Sequence, residues 1–286
     1  MITVNTVNEI VSQVRHWKRE GQTIGLVPTM GYLHEGHASL IQRARRENDR
    51  VIVSIFVNPI QFGPTEDLAS YPRDFARDSQ VCRELGTDLI FYPQPDEMYD
   101  ADFCTYVDMD VLTTQLCGKS RPTHFRGVLT VVSKLFHIAC PDRAYFGEKD
   151  AQQLAVIRRM VRDLNFDLEV VGCPIVREAD GLAKSSRNTY LNETERKAAL
   201  VLSRSIEAGK KLLAAGEKDA ARIVAAMRAV IEAEPLARID YVELVDGDSL
   251  QPVSTVAGTV LAAVAVYIGT TRLIDNTGFV ETEGTK

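Results

Sequence analysis

The 286-residue chain carries 33 Lys and Arg against 39 Asp and Glu, a net charge of −6, with 45% apolar and 25% charged residues. This is the balance of an ordinary globular protein long enough for two domains. It argues against a general nucleic-acid binder, and no run approaches the roughly 18 apolar residues of a membrane span. Five cysteines, Cys82, Cys104, Cys117, Cys140 and Cys173, are odd in number and without Cys-x-x-Cys spacing. They read as reduced thiols rather than a disulfide or zinc framework. The N-terminus lacks the basic-then-apolar pattern of a signal peptide. The expectation is a cytoplasmic protein with neither nucleic-acid nor membrane partners.

In chain order, a first strand is predicted over 23–29 and a helix over 38–47, with Leu40, Ile41 and Ala44 on one face. RVIVSIFV over 50–57 is a near-continuous apolar run, as in a strand covered on both faces. A helix over 72–85 opens with Pro72, which is tolerated in a first turn. A strand over 88–92, an amphipathic helix over 127–139, a short strand over 143–146, a helix over 151–164 and a strand over 168–176 follow. Strands alternating with helices predict an α/β fold, a Rossmann-like doubly wound parallel sheet spanning 1–176. Right-handed crossovers bring the strand C-termini to one edge.

From about residue 177 the pattern changes. Asn192, followed three residues later by Glu195, predicts a helix start, and the helix runs to about Ala215, where Gly216 ends it. A helix over 219–233 closes at Pro235, and strands are predicted over 238–245, 258–268 and 271–274. Two helices followed by adjacent strands predict a smaller α+β C-terminal domain over 177–286, placed to act as a lid. Residues 281–286 are expected to fray.

The sharpest signal is VPTMGYLHEGH over 27–37, where a strand gives way to a helix. Helix starts at such junctions favour anions. Gly36 lets a nucleotide approach, and His34 and His37 can donate to phosphate oxygens. The plain alternative is a helix start that happens to carry two histidines; as metal ligands they lack a third partner. The same sheet edge receives Asn58 and Gln61, then Gly147, Glu148, Lys149, Asp150, Gln152 and Gln153, then Val176, Arg177 and, a few residues on, Lys184, Ser185, Ser186, Arg187 and Asn188. Each cluster alone has a bland reading as turn, cap or linker. Together they predict one shared site.

These residue types suit adenylyl transfer. Lys149 and Arg187 can neutralise phosphate oxygens, and the hydroxyls of Ser185 and Ser186 can bond the β- and γ-phosphates. Gln61 and Gln153 can hold a small polar substrate without adding charge. Such transfers are catalysed by positioning and electrostatics, so no covalent intermediate is required.

The same stretches resemble the pantothenate synthetase (pantoate–β-alanine ligase) family. The resemblance rests on VPTMGYLHEGH (27–37), SIFVNPIQF (54–62), YPRD (71–74), RPTHFRGVLTVVSKLF (121–136), FGEKDAQQL (146–154), DGLAKSSRN (180–188) and RLIDN (272–276), and it covers nearly the whole chain. It implies a Rossmann-like domain with a smaller C-terminal domain, usually in a cytoplasmic homodimer. The implied substrates are ATP with Mg²⁺, pantoate and β-alanine, and the implied products are pantothenate, AMP and pyrophosphate by way of pantoyl adenylate.

By the family pattern His37 is the catalytic histidine and His34 helps hold the triphosphate, with Lys149, Ser185, Ser186 and Arg187 beside them. The implied ATP site comprises Pro28, Thr29, Met30, Gly31, Tyr32, Leu33, His34, Glu35, Gly36, His37, Gly147, Glu148, Lys149, Asp150, Val176, Lys184, Ser185, Ser186 and Arg187. Gln61 and Gln153 would bind pantoate, with Gln61 also near β-alanine. Mg²⁺ is expected on the ATP phosphates with no protein metal site. Asp74 and Asp78, on the helix predicted from Pro72, could touch the waters of that ion, but a solvated helix face is the expected reading. His124 and Arg126 either line the site or pack against a neighbouring subunit. Lys184 departs from the Leu or Met typical of the family. The competing readings are a simple nucleotidyltransferase and a non-catalytic nucleotide-binding regulator.

Overall fold

The computed structural model describes residues 1–64 and 66–280; the segment 281–286, expected to fray, lies outside them. The chain forms two compact units. The first gathers Met1–Met109, Arg121–Glu148 and Gln153–Val176; the second gathers Asp110–Ser120, Lys149–Gln152 and the chain from Arg177 onward.

In the first unit, strands β1 (Ile2–Val4), β2 (Ile24–Thr29), β3 (Arg50–Ile55), β4 (Leu89–Phe91), β5 (Arg143–Gly147) and β6 (Glu169–Cys173) form one sheet in the order β1-β4-β3-β2-β5-β6. Every pairing is parallel. The expected doubly wound sheet is therefore present, with its strand C-termini along one edge. Apolar side chains of its strands and of the helix Glu35–Glu47, among them Val27, Ile41, Val51, Val53 and Ile90, form a continuous core.

Two elements at the chain start were not expected. β1 pairs with β4, and a helix spans Val7–Arg19 with Ile10, Val14 and Trp17 buried. Its start is a reciprocal cap: Glu9 N donates to the Thr6 hydroxyl, and Thr6 N donates to the Glu9 carboxylate. The helix predicted over 38–47 begins at Glu35, and that predicted over 127–139 begins at His124. The helix predicted from Pro72 begins only at Phe75, because Asp74 caps it by accepting from Arg77 N.

The second unit contains β7 (Ala237–Asp246), β8 (Thr259–Ile268) and β9 (Thr271–Val280) in one antiparallel sheet. Helices Leu200–Ala214 and Ala220–Glu232 pack on it around Leu202, Ile206, Ile223 and Met227. Asn192 and Glu195 form the expected cap. The helix after them breaks into Glu193–Ala198 and Leu200–Ala214, with a tight bond from Leu202 N to Ala199 O at the join. β9 is longer than the predicted 271–274, because it pairs with β8 through Val280. No helix among the described residues is long and apolar enough to cross a membrane.

Candidate active site

In the first unit the turn after β2 carries the predicted phosphate-binding run. Pro28 and Thr29 end the strand, Met30 to Leu33 make the turn, and His34 caps the helix that Glu35, Gly36 and His37 begin. Gly36 N donates to His34 Nδ1 at 3.1 Å, and His34 N donates to His37 Nδ1 at 3.3 Å. The two imidazoles thus replace the usual Ser and Glu of a capping box. Since Nδ1 accepts in both rings, this network places the proton of each neutral ring on Nε2, a donor. The rings lie 4.1 Å apart, centroid to centroid.

The turn is held by a residue expected to face solvent. Asp78 is 1% exposed, and its carboxylate accepts from Tyr32 N and Leu33 N, each at 2.7 Å. Gly31 and Tyr32 both have positive φ, 84° and 51°; for a tyrosine this costs roughly 1–2 kcal/mol. The two hydrogen bonds offset that strain. Burial pushes the Asp78 carboxyl above the usual carboxylate range, with the Leu33 and Tyr32 amides acting the other way. Asp78 is therefore a buried support of the turn, not part of a solvated face. Its position between Phe75 and Cys82 on the inward side of its helix is the signal that could have identified it.

Gln61 ends the short turn after β3 and is 7% exposed. Its Oε1 accepts from Asn58 Nδ2 at 3.1 Å, and its Nε2 donates to the Met30 sulfur at 2.9 Å. A thioether is a weak acceptor, so a substrate oxygen can displace it with gain. Asn58 also donates to Gly127 O and accepts from the Tyr99 hydroxyl. A Cβ on Gly127 would lie 2.5 Å from Gln61 Cα, so only glycine permits this approach. His124 Nδ1 lies 3.0 Å from Gln61 O, while Arg126 stacks at 4.0 Å on the Tyr106 ring. His124 thus supports Gln61, and Arg126 does not join it. In the same unit Gly147 ends β5, Glu148 follows it, and Val176 lies beyond β6. Gln153 is half-buried, and its side chain makes no hydrogen bond among the described residues.

In the second unit Lys149 and Asp150 occupy a single turn before the helix Ala151–Asp163. Lys149 Nζ is 3.7 Å from Asp150 Oδ1, and its side chain is 20% exposed. Lys184 to Arg187 end a closed loop. Arg177 and Ala183 form an antiparallel bridge, Glu178 N donates to Leu182 O, and Asn188 Nδ2 donates to Glu178 and to Ala183 O. Arg196 pairs with both Glu178 and Asp180. Burial opposes ionisation of Glu178, but Arg196, Asn188 and, more weakly, Lys184 outweigh it and hold its carboxyl below the usual range. Ser185 accepts from Arg187 N at 3.3 Å, leaving its hydroxyl proton to donate. Ser186 is buried at 7% exposure. Arg177 and Asp275 form a bidentate pair at the root of this loop. Among the described residues no three His, Cys, Asp or Glu side chains could hold a metal ion.

The sequence matches the Pantoate-beta-alanine ligase family over residues 2–278. It is 62% identical over 280 residues to the pantothenate synthetase of Ruminiclostridium cellulolyticum, covering 98% of this chain and 99% of that protein. To the Clostridium acetobutylicum pantothenate synthetase it is 61% identical over 276 residues, covering 96% and 98%. Among solved structures, the Thermus thermophilus pantothenate synthetase superposes with a TM-score of 0.92 at 48% identity, covering 97% of this chain and 99% of that one. The Francisella tularensis pantoate–β-alanine ligase, solved in complex with beta-gamma ATP and β-alanine, superposes with a TM-score of 0.79 at 34% identity, covering 98% and 97%.

Proposed function

The chain belongs to the pantoate–β-alanine ligase family and condenses pantoate with β-alanine in an ATP-dependent reaction; we propose that it does so through a pantoyl adenylate, with the residues described above. The observation that carries the reading is the imidazole cap at the start of the helix Glu35–Glu47. Both Nδ1 atoms accept from backbone amides, which leaves the proton of each neutral ring on Nε2 as a donor, in two residues that sit at the start of a helix, the end that favours anions.

In the first step the pantoate carboxylate attacks the α-phosphorus of MgATP and pyrophosphate leaves. Two anions must meet, so the work is charge stabilisation. His37 and His34 donate to the triphosphate, Lys149 and Arg187 neutralise its oxygens, and Ser185 and Ser186 bond the outer phosphates. Gln61 and Gln153 bind pantoate through neutral amides. In the second step the β-alanine amine attacks the acyl carbon, AMP leaves with the bonding pair, and the amine loses a proton. Mg²⁺ enters with ATP, held by phosphate oxygens and water. The backbone of Gly147, Glu148, Asp150 and Val176, with Pro28 to Gly36, completes the nucleotide site in this reading. We further propose a cytoplasmic homodimer; the five free thiols fit a reducing compartment.

The test is a product assay with ATP, pantoate and β-alanine. AMP should form only when both organic substrates are present, whereas pyrophosphate is already released in the first step with pantoate alone. Formation of ADP, or AMP release indifferent to β-alanine, would overturn the reading in favour of a simple nucleotidyltransferase or a hydrolase.

A further inference from the structure

The chain enters the second unit at Lys149 and leaves it after Gln152, while Glu148 and Gln153 on either side belong to the first. Two side-chain amides tie this stretch to the rest of the second unit. Asn276 Nδ2, from β9, donates to Lys149 O at 2.8 Å. Gln152, 5% exposed, donates from Nε2 to Leu112 O at 2.8 Å and Gln115 O at 2.7 Å, and accepts at Oε1 from Cys117 N at 2.9 Å. The two consecutive glutamines thus divide their roles: Gln152 is fully committed within the protein, and Gln153 is not.

Asn276 is itself rigidly mounted. It is 7% exposed, lies opposite Ala263 in the antiparallel pairing of β8 and β9, and its backbone N–H donates to Asp275 Oδ1 at 2.8 Å. Asp275 is locked in turn by the guanidinium of Arg177. The Asp-Asn pair of RLIDN therefore ties two segments of the second unit to one strand. Asp275 holds the root of the loop that carries Lys184 to Arg187, and Asn276 holds the backbone of Lys149.

We propose that Asn276 is a positioning residue for Lys149, fixing the lysine's backbone so that its ammonium reaches the transferring phosphate, with Gln152 as the second clamp on the same turn. This rests on the assignment of Lys149 to the phosphates made above. A lysine stem is long and flexible, so the reach of Nζ is set by where its Cα is pinned. An ångström of misplacement in such a constellation costs on the order of a hundredfold in rate, and loss of one of two clamps should cost about tenfold.

The experiment is a double-mutant cycle on pyrophosphate exchange into ATP, measured with pantoate and without β-alanine. Asn276→Ala should lower the exchange rate about tenfold in the otherwise native chain and less than about twofold in the Lys149→Ala background, since its effect passes through Lys149. An equal loss in both backgrounds would mean that Asn276 is merely structural and would overturn the inference. Asn276→Asp keeps the side-chain shape but puts a carboxylate oxygen against the Lys149 carbonyl, and it should lose at least as much. Normal exchange in that variant would also overturn it. Lys149→Ala with near-native exchange would instead refute the assignment of Lys149 itself, a result distinguishable from the other two.

Discussion

Asp275→Asn tests how the loop bearing Lys184 to Arg187 is held. The Asp275 side chain is 1% exposed and binds Arg177 through two hydrogen bonds of 2.7 and 2.9 Å. The hydrogen bond that Arg177 donates to Asp275 raises the Arg177 pKa against the opposing effect of burial, so the guanidinium stays charged at any working pH. The amide leaves the space filled but sets an NH₂ group against one guanidinium N–H and removes the carboxylate charge. Removing one partner of a fully buried pair costs about 3–5 kcal/mol. Arg177 is 29% exposed, so water recovers part of its solvation, and about 2–3 kcal/mol is expected. For a unit of this size each kcal/mol moves the melting temperature by roughly 4 °C, giving a fall of about 8–12 °C by scanning calorimetry of the full chain. Arg177 also donates to Gly181 O within the loop, so the Michaelis constant for ATP should rise together with the loss of stability. A shift below about 2 °C with an unchanged ATP dependence would refute the view that this pair anchors the loop.

Lys149→Ala should lower turnover by at least about a hundredfold with an unchanged melting curve, since one phosphate-directed donor in a dry site supplies roughly 3–4 kcal/mol. His37→Ala should abolish pyrophosphate exchange with pantoate alone; a defect confined to the β-alanine step would contradict its role. Gln61→Ala should raise the Michaelis constant for pantoate more than that for ATP, because pantoate loses an amide partner and one N–H of Asn58 loses the Gln61 oxygen that accepted it. Lys184→Leu should be nearly silent in ATP titrations run beside Arg187→Leu, because the charge of Lys184 already acts on the Glu178 carboxylate; losses of equal size in the two variants would make Lys184 a phosphate ligand.

The parallel sheet was legible because buried strands such as RVIVSIFV declare themselves by apolar content alone. Elements that rely on partners were not. β1 is three residues long and acquires its strand conformation from pairing with β4. The last five residues of β9 are Asn276, Thr277, Gly278, Phe279 and Val280, a mixture that ends an apolar pattern although pairing with β8 continues. The helix Val7–Arg19 is a different matter. Thr6 and Glu9 spell its cap, and Ile10, Val14 and Trp17 spell its buried stripe, so its signals are local ones.

The candidate site divides in the same way. The groups proposed to meet substrate are chemically conspicuous, and His34, His37, Lys149, Ser185 and Arg187 stand out at or after the ends of predicted strands. The groups that hold them are inconspicuous because their role depends on distant pairing. Asp78 reaches Tyr32 and Leu33 across more than forty residues of sequence, and Asn276 reaches Lys149 across more than a hundred. On a helix an aspartate reads as solvated unless its neighbours at i−3 and i+4 are noticed to be Phe75 and a buried Cys82. In a strand an asparagine reads as the end of the element. Both invert the usual inference from polarity to exposure, and for one reason: each bonds a backbone group of a turn far away in the sequence. A polar residue that interrupts an apolar stripe within a recognised element is thus evidence for a turn in need of support elsewhere in the chain.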